Sequence, residues 1–150
     1  MLTVVIIKAT GSRGKTESLK GVIELLKKEN GRINIQEEDS NGNDIFAIIE
    51  WKNKKIGIIT QGDPGTTWHV KECLNKCIEN NVDCIVAASR TRYTPDSVYS
   101  LLWNFIHEHN AKGVETSTII TYDGWGMPVD ESILNKICAE NLKNIINKLM

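Results

Sequence analysis

The sequence has no long hydrophobic run and almost no excess of charge of either sign. No apolar stretch among the 150 residues approaches the roughly 20 residues that span a bilayer. The N-terminus also lacks the basic region and the small-residue cleavage site of a secretory signal. With 18 basic and 19 acidic residues the net charge is −1, so the overall basic character of many nucleic-acid-binding proteins is missing. We therefore expect a cytoplasmic protein without a membrane or nucleic-acid partner.

The four cysteines lack the spacing of a zinc finger and of a C-x-x-C pair. Cys73 and Cys77 are four residues apart on a predicted helix, in the same stripe as Val70, Leu74 and Ile78. Two cysteines at this spacing could hold a metal, but a buried free cysteine behaves as a small hydrophobic residue. We expect free thiols, with Cys73 and Cys77 packed in the core.

Strand-like apolar runs alternate with amphipathic helical patterns along most of the chain. This alternation predicts a mostly parallel sheet between layers of helices, and the chain length suits one domain. The predicted strands cover residues 2–7, 33–37, 45–50, 55–60, 83–88 and 115–121. The predicted helices run from near residue 15 to the Asn30-Gly31 stop, and over residues 67–80, 95–110 and 130–150.

Three of the predicted strands follow one another without a helix between them, which indicates hairpins. We expect strand 45–50 to run antiparallel, and strand 56–60 to return parallel to the first strand and to lie beside it. The predicted fold is therefore α/β, a three-layer sandwich with a mostly parallel central sheet and an antiparallel hairpin strand. A single domain would cover residues 1–150.

A glycine-containing turn connects the first strand to the first helix. It reads Ala9-Thr10-Gly11-Ser12-Arg13-Gly14-Lys15-Thr16, which has the spacing of a P-loop with Ala9 in place of the first glycine. Gly11 and Gly14 allow backbone conformations that turn successive N–H groups toward one phosphate, and the helix adds its positive end. We predict that the loop binds a nucleoside triphosphate, with Lys15 between the β- and γ-phosphates and the Thr16 hydroxyl on Mg²⁺.

With this loop and this layout, the chain resembles the P-loop NTPase superfamily. The resemblance implies an α/β sandwich, ATP or GTP as the ligand and Mg²⁺ as the cofactor; we expect ATP. Members usually end the strand beside the P-loop strand with an acidic residue that binds the metal or a water. Here that strand is predicted to end in Thr60-Gln61-Gly62-Asp63.

Asp63 is the candidate metal ligand and catalytic carboxylate, acting on Mg²⁺ through a water. The turn sequence Gly-Asp-Pro-Gly offers an equally good structural reason for this residue. Thr60 or Gln61 could position a nucleophile, and Glu50 on the neighbouring strand is the alternative acid.

The segment Ser89-Arg90-Thr91-Arg92-Tyr93 follows strand 83–88, at the carboxyl edge of the sheet where ligands of open α/β folds bind. Arg90 and Arg92 are candidate catalytic residues that would stabilise the transferring phosphoryl group, with assistance from Arg13. Solvated surface arginines are the alternative. In the loop over residues 122–128, on the same edge, Trp125 could stack on adenine, but we expect it to cap the core.

Three functions are compatible with these features. We expect a small ATP-dependent phosphotransferase that acts on a nucleotide or metabolite, because of the chain length, the P-loop and the paired arginines. A regulatory NTPase is favoured by the antiparallel strand before Thr60, but Ala87-Ala88-Ser89-Arg90 stands where a guanine-specifying N-K-x-D pattern would be. A non-catalytic nucleotide-binding module is favoured by the missing acidic residue at the strand end.

Overall fold

The computed structural model describes residues 1–9, 14–38, 43–62, 65–90 and 94–150. The strands formed by these residues are β1 (Thr3–Lys8), β2 (Arg32–Glu38), β3 (Ile45–Trp51), β4 (Lys54–Ile59), β5 (Cys84–Ser89), β6 (Lys112–Ser117), β7 (Thr121–Tyr122) and β8 (Pro128–Val129). The helices are α1 (Lys15–Lys28), α2 (Thr67–Glu79), α3 (Val98–Glu108) and α4 (Glu131–Leu149).

The main sheet has six strands in the order β2-β3-β4-β5-β1-β6. Neighbours from β4 to β6 pair in parallel. β3 pairs antiparallel with both β2 and β4, so within this sheet it runs against the other five strands. The predicted α/β fold, with a mostly parallel sheet and an antiparallel hairpin strand, is confirmed.

The neighbour of β1 differs from the predicted one. β5 pairs with β1 along its whole length, from Thr3 opposite Cys84 to Lys8 opposite Ser89, and β4 pairs with the other side of β5. The prediction that β4 lies beside β1 is therefore wrong. Right-handed crossovers are compatible with adjacent strands and with separated ones, so the local patterns did not determine which strand fills the place next to β1.

Each face of the sheet carries two helices. Val5 and Ile7 of β1 pack with α1 and α4 on one face, whereas Val4 and Ile6 pack with α2 and α3 on the other. The alternation follows from the period of two along a strand. Since β1 is buried on both faces, its apolar residues form a continuous run. The predicted three-layer sandwich is confirmed.

All four cysteines are free and buried, as predicted for core thiols. Cys77 of α2 lies against the backbone of β4, and its Sγ would be 2.5 Å from a Cβ added to Gly57. Burial raises the pKa of Cys73 and of Cys77 to about 12, so both remain protonated thiols at neutral pH. In the described part of the chain no group of three or more His, Cys, Asp or Glu residues could hold a metal ion.

The chain leaves β6 earlier than the sequence suggests. Residues 115–121 were predicted as the last strand, but β6 begins at Lys112 and ends at Ser117, opposite Lys8 at the end of β1. β6 lies at the edge of the sheet, so its pairing stops where its one partner stops. Ile119 and Ile120 therefore lie beyond the strand, and β7 and β8 follow as a separate small hairpin. Within the described residues, no helix is both long enough and apolar enough to cross a membrane.

α1 and α4 approach each other closely at Gly21, and a larger side chain there should destabilise the fold. A Cβ on Gly21 would lie 2.8 Å from the Cβ of Ala139, so Gly21→Val should force the two helices apart and lower the free energy of unfolding by about 1–3 kcal/mol. Urea denaturation measures the change. The matched control is Gly124→Val, whose Cβ would meet no atom within 4 Å; equal losses in both variants would contradict the proposed cause.

Candidate phosphate-binding site at the carboxyl edge of the sheet

The loop between β1 and α1 has its two ends joined by a hydrogen bond. The Lys15 ammonium donates to the carbonyl oxygen of Ala9 at 2.9 Å, and the Lys15 side chain is 5% exposed. A lysine side chain reaches only part of the roughly 20 Å that six extended residues would span. Ala9 and Lys15 therefore lie much closer together than six extended residues would place them. Of the predicted loop residues, Thr10, Gly11, Ser12 and Arg13 lie outside the described residues.

Gly14 stands directly before α1 in the left-handed region, with a φ of 83°. A side chain there would be strained by this φ and would also collide with the side-chain oxygen of Asn135 on α4. The Gly14 carbonyl accepts from the N–H of Ser18 at 2.9 Å, which starts the helix. A left-handed residue followed by a right-handed turn gathers successive N–H groups into a concavity suited to an anion, and the first N–H groups of α1 add the positive end of the helix.

The connections after β1 and β5 leave the sheet toward opposite faces. The two strands are neighbours, but α1 packs on one face and α3 on the other. Such a switch point opens a crevice at the carboxyl ends of the strands, the usual place of ligands in open α/β sheets. Ala9, where the loop begins, and Arg90, which follows β5, both lie at this switch point.

The end of β5 is bonded directly to the beginning of the loop. Ser89 accepts the N–H of Ala9 on its carbonyl oxygen at 3.2 Å, and its buried hydroxyl donates to the Arg90 carbonyl at 3.0 Å. Because β5 is the neighbour of β1, Arg90 follows the strand directly beside the one that leads into the loop. Arg92 lies outside the described residues.

The segment after β4 lies across the end of β5. A Cβ on Gly62 would collide with the carbonyl of Ala88 and would lie 2.9 Å from the N–H nitrogen of Ser89. Since Ser89 holds Ala9, the chain at Gly62 approaches the loop although β4 is two strands from β1. The predicted metal ligand, Asp63, is the next residue and lies outside the described residues.

Thr60 is buried and has its hydroxyl engaged at the start of β3. It accepts the N–H of Ile45 at 2.8 Å and donates to the Asp44 carboxylate at 3.1 Å. Sequence reasoning missed Asp44, since the beginning of β3 reaches the carboxyl edge only because β3 runs antiparallel to β4. Thr60 and Gln61 are the two residues predicted to position a nucleophile. Because the Thr60 hydroxyl is already hydrogen-bonded to the start of β3, Gln61 is the better candidate of the two.

Glu50, the alternative acid, lies at the opposite edge of the sheet. It is paired with Lys55 at the beginning of β4, and it binds Arg32 at 2.7 Å and Asn34 at 3.2 Å. The Asn34 hydrogen bond, together with the Arg32 charge, holds the pKa of Glu50 below its usual value. The proposal that Glu50 serves the loop is wrong, because the antiparallel direction of β3 carries its carboxyl end away from the site.

A small pocket adjoins Gly14 between the β7–β8 hairpin and the start of α4. Its lining includes the apolar residues Ile119, Pro128 and Leu134 as well as the polar residues Thr121, Glu131 and Asn135. Trp125, at the tip of the hairpin, is 92% exposed, so the prediction that it caps the core is wrong. The conformation of the hairpin tip explains this exposure.

Asp123 holds the tip of that hairpin in a tight turn. Its carboxylate accepts the N–H groups of Trp125 and Met127 at 2.8 and 3.0 Å, and its own N–H donates to the Met127 carbonyl at 2.9 Å. A turn closed in this way directs the residue between its two ends outward. Trp125 is therefore presented to solvent beside the pocket rather than packed over the core.

A polar cluster that the sequence did not reveal lies just before the loop. Glu115 of β6 accepts from the Lys8 ammonium at 3.0 Å, from the Trp103 indole N–H at 2.9 Å and from the Tyr99 hydroxyl. The Tyr99 hydrogen bond, with those of Lys8 and Trp103, holds the pKa of Glu115 below its usual value; the same bond raises the pKa of Tyr99. The cluster fixes α3 to the last residue of β1. Nothing in the sequence indicates a contact between residues 107 positions apart.

No model of a known protein family, no curated protein and no solved structure matches this chain. The functional assignment therefore depends on the site itself.

Replacement of Glu115 should produce a pH-dependent loss of stability. Since folding lowers the pKa of Glu115, its contribution is present above the pKa of the unfolded carboxyl group and is lost as the pH falls through the folded value. We expect Glu115→Gln to lower the free energy of unfolding by on the order of 1 kcal/mol at pH 7, and we expect this difference to be smaller at pH 3. Urea titrations at both pH values measure it. Exposed Glu108 on α3 provides the control, Glu108→Gln; a difference for Glu115→Gln that is unchanged at pH 3 would contradict the assignment.

Proposed function

We propose that this chain binds ATP, as its Mg²⁺ complex, in the loop over residues 9–16 and transfers the terminal phosphoryl group to a small-molecule acceptor. One observation carries the proposal: the buried Lys15 ammonium joins the two ends of this loop at the switch point between β1 and β5. Such a loop combines backbone N–H groups, a helix start and a lysine, which together suit a polyphosphate.

Lys15 would exchange one oxygen partner for another when ATP binds. Its ammonium is bonded to the Ala9 carbonyl, which carries only a partial charge. A phosphate oxygen carries a full charge and forms the stronger hydrogen bond. The exchange leaves the ammonium within the loop and places it on the β- and γ-phosphates, where negative charge is shifted during transfer.

The described residues suit a magnesium–phosphate complex better than a bare cation. They contain no cluster of three acidic, histidine or cysteine side chains, so most oxygen ligands would have to come from the phosphates, as is usual for Mg²⁺ in nucleotide sites. Thr16, half-buried in the first turn of α1, would supply one hydroxyl oxygen. Asp63, or Asp44 beside Thr60, would act through a bound water. When bound, the metal neutralises charge on the β- and γ-phosphates.

Other residues at the carboxyl edge of the sheet would bind the base of ATP and the transferred phosphoryl group. The pocket beside Gly14, with the Asn135 amide, would accommodate part of the base. Arg90, which follows β5, would stabilise the phosphoryl group during transfer, together with Arg92.

The first test of this function is Lys15→Ala. This variant should lose the rise in melting temperature that Mg²⁺-ATP causes in the wild type, since the only ammonium inside the described part of the loop is removed. Loss of the buried hydrogen bond should by itself lower the free energy of unfolding by about 1–3 kcal/mol. Thermal denaturation with and without Mg²⁺-ATP measures both effects. The control is Lys28→Ala at the exposed end of the same helix; an ATP shift in Lys15→Ala equal to that of the control would contradict the assignment.

The second test distinguishes transfer from hydrolysis and from binding alone. The protein is incubated with Mg²⁺, ATP labelled in its γ-phosphate and a pool of metabolites. We expect label on a small molecule, and we expect Arg90→Ala to reduce this transfer at least tenfold with less than a threefold change in ATP affinity. Label released only as free phosphate would favour a regulatory NTPase. Neither product, with the ATP-induced thermal shift retained, would favour a binding module.

A further inference from the structure

A second groove opens at the same edge of the sheet, between the first turns of α2 and α3. It has a volume of about 290 Å³ and is lined by Thr67, Trp68, Lys71, Asp96, Leu101 and Asn104, among others. This volume is at the lower end of the range for small-molecule sites. Nothing in the proposed nucleotide site uses these residues.

The topology places this groove next to the crevice. α2 follows β4 and α3 follows β5, and both helices pack on the face of the sheet opposite α1. The chain reaches α2 through Gly62, which lies on the end of β5, and it reaches α3 through Arg90. The groove and the loop thus lie at the same edge of the sheet, on opposite faces.

Trp68 gives the groove an aromatic surface. Its side chain is 66% exposed in the first turn of α2, and its ring meets that of His69 at 72° with 5.5 Å between centroids. This edge-to-face contact leaves indole surface for a planar ring to stack on. Leu101, half-buried in α3, adds apolar surface within the same groove.

Three polar side chains of the groove have no partner in the described part of the chain. Lys71, Asp96 and Asn104 form no hydrogen bond or ion pair there. Lys76 on the same helix, by contrast, is paired with Glu37 at 2.7 Å. An anionic group on a ligand would provide Lys71 with a counter-charge, and the Asn104 amide can both donate to and accept from the polar edge of a ring.

We propose that this groove binds the phosphoryl acceptor and that the acceptor is a nucleoside monophosphate, with its base on Trp68 and its phosphate near Lys71. The inference rests on the proposed function for its role in transfer, but not for binding itself. In the transfer, an ionised phosphate oxygen of the acceptor attacks the γ-phosphorus of ATP and forms a new P–O bond. The bond from the γ-phosphorus to the β–γ bridging oxygen breaks, and ADP leaves with that electron pair. The attacking oxygen is already ionised, so no proton has to be removed.

The binding test uses AMP, GMP, CMP and UMP, each titrated calorimetrically into the full chain. We expect at least one to bind, and we expect Trp68→Ala to weaken that binding at least tenfold. Trp125→Ala is the matched control, since Trp125 is also exposed but lies on the β7–β8 hairpin; it should change the affinity less than twofold. No binding of any monophosphate to the wild type, or equal losses in the two tryptophan variants, would overturn the proposal.

Lys71→Gln tests how the phosphate is recognised. It should weaken binding of the monophosphate at least fivefold and leave binding of the corresponding nucleoside within twofold, because the nucleoside lacks the charged group. Equal losses of affinity for both ligands would mean that Lys71 does not bind the phosphate, and would overturn that part of the proposal. Since Trp68 and Lys71 are both exposed, circular dichroism should show unchanged folding of both variants.

Lys15→Ala separates this inference from the proposed nucleotide site. The variant should lose the ATP-induced thermal shift and retain monophosphate binding. If monophosphate binding is also lost, the monophosphate occupies the loop and the groove proposal fails. If the wild type does not bind ATP but binds a monophosphate through Trp68, the proposed function of the loop fails and the groove remains.

Discussion

The hydrogen bond from the Lys15 ammonium to the Ala9 carbonyl closes the loop on which the site depends. It is buried, and its two partners belong to the end of β1 and the start of α1, so the positions of a strand and a helix are linked through one contact. Gly14 makes the closure possible by turning the backbone into the left-handed region against Asn135 of α4. The loop is therefore held by the strand below it, the helix after it and the last helix of the chain.

The order of the strands determines what surrounds this loop. β5 lies between β1 and β4, and the reversal between α1 on one face and α3 on the other opens a crevice directly at Ala9. Arg90 adjoins the crevice because it follows β5. The segment at Gly62 crosses the end of β5 toward the same place. Residues that are distant in the sequence thus meet at one edge, and both the proposed nucleotide site and the groove beside Trp68 follow from this arrangement.

The direction of each strand decides which acidic residues lie at this edge. Asp44 reaches the carboxyl edge because β3 runs antiparallel, and the same direction carries Glu50 to the far edge. Thr60, at the end of β4, is hydrogen-bonded to Asp44 where an acid would be expected from the resemblance to P-loop proteins. A carboxylate beside a threonine at the strand end would be a second candidate ligand, through water, for the proposed Mg²⁺, in addition to Asp63.

The local patterns of the sequence were sufficient for the elements and for the loop. The continuous apolar run of β1 and the apolar stripes of the helices predict the layers, because burial on one or two faces requires those periods. The glycine and lysine spacing predicts where a phosphate-binding turn would form. The same local reasoning could not predict strand 115–121 correctly, since β6 ends where its partner β1 ends.

Contacts between distant residues were decided only by the tertiary structure. The neighbour of β1 and the cluster around Glu115 each depend on segments that are far apart in the chain. Strand adjacency has no local signature, because a right-handed crossover can connect strands at more than one separation. The sequence by itself therefore determined which elements form and which loop could hold a phosphate; the folded chain decided which side chains face that loop.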